Sequence, residues 1–84
     1  MPETDDRIAQ RRKSFGSHLR RVRTEAGLSQ TAAASRARLD RSFYAEIESG
    51  KHSVSVDRLY DIAEALGVAV RDLFADEPSQ CGDA

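Results

Sequence analysis

Apolar side chains recur along this chain at helical spacing, and each apolar stretch closes at a glycine or a polar turn. Ile8, Phe15, Leu19, Val22 and Ala26 fall at steps of seven, four, three and four, which is one stripe along a helix. Thr4, Asp5 and Asp6 offer a cap and first-turn acids before it, and Gly27 ends it, so a first helix is predicted up to Ala26. Gln10 to Ser14 contains no apolar residue, which leaves open whether that helix is continuous from Asp5 or frays before Ser14. Ser29 caps a second helix over Gln30 to Ala37. Asp40 caps a third over Arg41 to Ser49 that stops at Gly50, and Ser55 caps a fourth over Val56 to Leu66 that stops at Gly67. A short fifth helix, Val70 to Phe74, follows. From Asp76 onward, Pro78, Ser79, Gln80 and Gly82 read as a disordered tail. The pattern predicts an all-α fold of five helices, with residues 1–13 extending the first helix, a domain over 14–75 and a tail over 76–84.

The segment from Gln30 to Ser49 carries more than periodicity. Two helices crossing near a right angle through a tight turn need a very small residue where their backbones approach, and apolar residues on both inner faces. Ala34 fits the crossing point, and Ala33, Ala37, Leu39, Tyr44 and Ile47 fit the inner positions. Arg41, Ser42 and Glu46, with Phe43, then face away from the core, on a surface that a DNA major groove can receive.

Composition agrees with thin helices packed closely. Only five residues are Phe or Tyr and there is no Trp, so no strand is expected. An 84-residue chain buries too small a share of its surface to be very stable alone, which favours a dimer. The formal net charge of −1 hides a polarised distribution: residues 1–41 carry ten Arg or Lys against five acids, and residues 42–84 carry three against nine. Eleven of the thirteen cations are Arg, the side chain whose fork fits phosphates and guanine edges. The single cysteine, Cys81, lies among polar residues near the end, so neither an intramolecular disulfide nor a cysteine-based metal site can form. No apolar run reaches the length of a membrane span, and Met1 to Asp6 is unlike a signal peptide, which points to the cytoplasm. His18 and His52 are expected to face solvent. They lack a third ligand at metal spacing, and neither Ser42 nor Cys81 has a plausible base, so no enzyme, metal or cofactor is expected.

From Phe15 to Phe74 the chain resembles the repressor/Cro-type, xenobiotic-response-element-like helix-turn-helix family without a gap. The resemblance is carried by LRRVRTEAGLSQ (19–30), IESGK (47–51) and LYDIAEALGV followed by DLF (59–74). Within that family, LDRSFYAEIESG looks most like restriction-modification controller proteins. The resemblance implies a sequence-specific, DNA-binding regulator that acts as a homodimer on a palindromic site. It implies base-reading positions at Arg41, Ser42, Phe43, Ala45 and Glu46, and backbone positions at Ser29, Gln30, Arg20, Lys51 and His52. Arg23 and Glu48 match an ion pair that ties the first helix to the third. Leu59, Ile62, Ala63 and Leu66 suffice for the inner face of the fourth helix, and either Leu73 or Phe74 closes the core from the fifth. This leaves Val68, Val70 and one of that last pair, assigned as Leu73, as a two-fold apolar patch in the region where the resemblance places dimer contacts.

Three assignments carry alternatives. Arg41, next to Asp40, either forks onto guanine or is a solvated helix start. Phe43 either presses on a thymine methyl or fills the room left by Ala33, where the family prefers leucine. Glu46 either accepts from cytosine N4 or repels phosphate and so excludes wrong sites. Three departures from the family pattern bear on local stability. Arg38 stands where glycine or asparagine is favoured, and a positive φ there costs on the order of 1 kcal/mol. Ala69 replaces a capping hydroxyl, and Val54 a common proline. A second reading of the whole chain is an antitoxin-like module, in which the acidic half, residues 42–84, covers a basic protein partner while the chain represses its own promoter.

Overall fold

A computed structural model describes residues 6–74. The expectations for Thr4 and Asp5 as a cap, for the tail over 76–84 and for Cys81 lie outside the described residues. Four α-helices follow in order: α1 (Asp6–Glu25), α2 (Gln30–Arg36), α3 (Arg41–Ser49) and α4 (Val56–Leu66), and then a single 3-10 turn, Val70–Leu73. No strand occurs among the described residues. α1 is continuous through Gln10 to Ser14, since no proline or glycine there breaks a helix.

The caps explain where each element starts and stops. The Ser29 hydroxyl accepts from Ala32 N–H at 3.0 Å, and the Asp40 carboxylate accepts from Ser42 N–H at 3.0 Å and Phe43 N–H at 3.3 Å. The Ser55 hydroxyl accepts from Arg58 N–H at 3.2 Å. These satisfy first-turn amides that have no partner within a helix. α3 ends on Gly50 at φ +86°, followed by Lys51 N–H donating to Glu46 C=O at 2.9 Å, a left-handed closure that glycine adopts without strain. Arg38 adopts φ +62° in the turn between α2 and α3, the strained position anticipated there. Ala37 serves as the C-cap of α2 rather than its last residue.

The core is one cluster: Leu19 from α1, Ala33, Ala34 and Ala37 from α2 and its cap, Tyr44 and Ile47 from α3, Ile62, Ala63 and Leu66 from α4, and Leu73. Three alanines bring α2 close to α3 and α4, both of which it packs against. Gly16 does the same for α1. A Cβ placed there would overlap the carbonyl oxygen of Glu48 and stand 2.6 Å from that of Ile47, so only glycine lets the two backbones meet.

Two expectations for the C-terminal region need correction. The fifth helix is a four-residue 3-10 turn. Ala69 offers no side-chain oxygen to cap a longer helix, and Asp72 reaches back instead to accept from Ala69 N–H at 3.1 Å. The tighter winding sends Leu73 inward, where it is fully buried against the core, so Leu73 is not a surface residue and cannot contribute to a dimer contact. Phe74 takes the outward position, 49% exposed, with its ring 5.2 Å from that of Phe15.

Candidate nucleic-acid interface

α3 has two faces. Tyr44, Ile47 and Glu48 point inward and are buried, while Arg41 and Ser42 are exposed and Phe43, Ala45 and Glu46 are half-buried. Asp40 caps the helix at the exposed end, so Arg41 and Ser42 open the first turn of a helix whose other side is fixed in the core. Arg36 and Arg38 are also exposed just before it. The outward row Arg41, Ser42, Ala45 and Glu46 combines guanidinium, hydroxyl, methyl and carboxylate, which together can meet guanine, thymine methyl and cytosine edges.

The inner face is anchored by a buried ion pair. Arg23 Nε donates to Glu48 Oε2 at 2.7 Å and its terminal nitrogen to Oε1 at 3.2 Å. The guanidinium also donates to Leu28 C=O at 2.7 Å, which fixes the turn between α1 and α2. Burial disfavours the charged form of Glu48, but hydrogen bonds from Arg23 and Gln30 outweigh it and hold the carboxyl below its ordinary range. The same hydrogen bonding raises Arg23 further, against the opposing effect of its burial. Beside the pair, the Tyr44 hydroxyl is buried without a hydrogen-bond partner. Burial, and then the neighbouring carboxylate, push its phenol well above the usual range.

Each residue singled out in the sequence has a definite place. Gln30 donates from Nε2 to Glu48 Oε1 at 3.0 Å, so one of its two amide hydrogens supports the ion pair and the other remains for an outside acceptor. Ser29 caps α2. Arg20 and Lys51 are exposed. His52 Nε2 lies 2.8 Å from Glu46 Oε1, and its ring is 5.5 Å from that of Phe43 at 33°. Phe43 is therefore half-buried, packed against the core cluster on one side and His52 on the other. His18 is half-buried rather than free in solvent, with Nε2 3.1 Å from Asp72 C=O. Val68 and Val70 are half-buried and, with the 63% exposed Tyr60, line a shallow groove beside the 3-10 turn.

Gly16 and Lys13 escaped the sequence reading. The Lys13 stem covers Gly50, close enough that a Cβ on that glycine would meet its Cγ at 2.9 Å. A glycine in the middle of an otherwise helical pattern was the available signal for Gly16.

Comparison with known proteins places this geometry among relatives. The Helix-turn-helix family model matches residues 19–73. The control protein C.MunI of a Mycoplasma species is 41% identical over 63 residues, covering 74% of this chain and 85% of that protein. The control protein C.BamHI of Bacillus amyloliquefaciens is 36% identical over 61 residues, covering 71% of this chain and 75% of that protein. Among solved structures, the restriction-modification controller protein C.AhdI from Aeromonas hydrophila superposes with a TM-score of 0.72 at 40% identity, covering 74% of this chain and 94% of that one.

Proposed function

The chain belongs to the Helix-turn-helix family, as a DNA-binding transcriptional regulator of the repressor type, and we propose that it acts as a homodimer on a roughly palindromic operator. The observation that carries this reading is the division of α3: Tyr44, Ile47 and Glu48 are buried while Arg41 and Ser42 stand exposed on the capped first turn. Arg41 forks onto a guanine, Ser42 bonds to a neighbouring base edge, Ala45 and Phe43 supply apolar contact for thymine methyls, and Glu46 accepts from a cytosine amine. Arg20, Lys51, the hydroxyl of Ser29 and the second amide hydrogen of Gln30 approach phosphates, which set register and orientation. The control-protein relatives support the regulatory reading.

Val68 and Val70, joined by Tyr60, supply the apolar surface for a two-fold contact. Each half-site then lies about one helical turn, roughly 34 Å, from the other. Selection from a random duplex pool, followed by titration at low and physiological salt, tests the DNA reading. A palindromic motif and binding that weakens steeply with salt are expected, because Arg and Lys displace condensed counterions. Salt-independent binding, or no motif, would rule it out. For the dimer, Val70→Asp is expected to give a folded monomer with weak half-site binding, whereas Leu73→Asp places a charge in the core and unfolds the chain. An undiminished Val70→Asp dimer in sedimentation would exclude this surface.

A further inference from the structure

His52 sits in the loop after α3, exposed, yet two side chains of α3, outward Glu46 and half-buried Phe43, converge on it. Its Nε2 is 2.8 Å from Glu46 Oε1, and its ring packs on that of Phe43 at 5.5 Å. An ionised carboxylate only accepts, so Nε2 carries the hydrogen and the imidazole is the donor. The loop is held in place from below: Lys51 N–H donates to Glu46 C=O at 2.9 Å, the Ser49 hydroxyl donates to the same carbonyl at 2.9 Å, and the Lys13 stem lies over Gly50. His52 is thus presented to Glu46 by the same turn that ends the helix.

An unrestrained glutamate at the end of a polar helix face samples several rotamers and is repelled by phosphates. One held by a fixed donor has a single direction and part of its charge balanced, which is what reading one base amine requires. We infer that His52 is a specificity-positioning residue: it fixes Glu46, and packs Phe43 beside it, so that Phe43, Glu46 and His52 read the DNA as one unit, rather than His52 contacting a phosphate. A phosphate role is better served on this side of the molecule by Arg11 and Arg12, which line the same groove as His52 and carry fixed charge.

This inference rests on the DNA-binding reading above, and one experiment separates the two. The full chain, His52→Ala, His52→Gln, Glu46→Ala and the double variant His52→Ala/Glu46→Ala are each given a randomised duplex DNA pool, and selected positions are confirmed by titration. In the wild type, discrimination at one base pair of each half-site is expected to be about 10-fold or more, the scale of one good base contact. His52→Ala and Glu46→Ala are expected to relax that same base pair, with the double variant no worse than either single one. His52→Gln retains a donor and is expected to restore part of the preference. If His52→Ala instead weakens all sequences evenly and leaves every position's preference intact, His52 is a phosphate contact and the inference is overturned. It is equally overturned if the two single variants affect different base pairs. A wild-type chain that selects no motif overturns the DNA reading itself.

Discussion

Glu46 and Glu48 stand two residues apart on α3, and each meets a basic partner from another part of the chain. Glu48 pairs with Arg23 at side-chain exposures of 3% and 9%, and Gln30 adds a further donor. Glu46 pairs with His52 at exposures of 41% and 48%. A buried carboxylate that loses its partner is left as an uncompensated charge in a poor solvent, while an exposed one is simply taken up by water. Burial therefore divides one short helix into a face that holds the fold and a face left free to act on something outside it. Residue type alone does not predict which glutamate does which.

The sharpest way to break this comparison is Arg23→Ala, which strands Glu48. A loss of about 3–5 kcal/mol is expected in denaturant unfolding, and a double-mutant cycle with Glu48→Ala should show coupling above about 0.5 kcal/mol. Additive losses would mean that the buried pair does not act as a pair. Because the folded Glu48 titrates below its unfolded value, its contribution is complete above the ordinary glutamate range and disappears as pH falls through the depressed value. Melting temperature should consequently drop on acidification, and less so in a Glu48→Gln background.

Next in size, Gly16→Ala attacks the inner face without touching a charge. The added methyl meets the Ile47 and Glu48 carbonyls, and since backbone cannot move aside as a side chain can, about 1–3 kcal/mol of destabilisation is expected. Unchanged unfolding would show that α1 and α3 have room to separate.

On the outer face the ordering of effects reverses. Arg41→Ala should leave stability nearly unchanged and cost about 1–3 kcal/mol of binding at the cognate site, with relaxed preference at one base pair. Equal losses on all sequences would remove Arg41 from base reading. Smallest of all, Glu46→Ala should shift folding stability by less than about 0.5 kcal/mol, and a loss rivalling that of Arg23→Ala would erase the distinction between the two faces.

What could be read along the chain was what is decided locally. Ser29, Asp40, Ser55, Gly50 and Gly67 mark helix ends by their own chemistry, and α3 and α4 have the limits those caps predict. The positive φ of Arg38 was legible only through the family resemblance, which favours glycine or asparagine at that turn position, since an arginine carries no such signal itself. What escaped depends on distant partners. The need for glycine at Gly16 exists only because Ile47 and Glu48 come against it, and the contact of His52 with Glu46 exists only because the Gly50 closure folds the loop back. Leu73 and Phe74 were interchangeable by hydropathy. The 3-10 winding of a four-residue turn decided which of them faces the core.

The clamp around Gly16 also gives α3 the mechanics of a cantilever. Its C-terminal half is gripped through Ile47 and Glu48, while Arg41 and Ser42 stand exposed at the other end. From Ile47 to Arg41 the helix makes a beam of about 9 Å. A tilt of about 5° at the grip moves the tip by about 0.8 Å, comparable to the tolerance of a directional hydrogen bond. Loosening the grip should therefore blur the choice between bases before it unfolds the protein, so that the accuracy of the tip depends on side chains buried in the core.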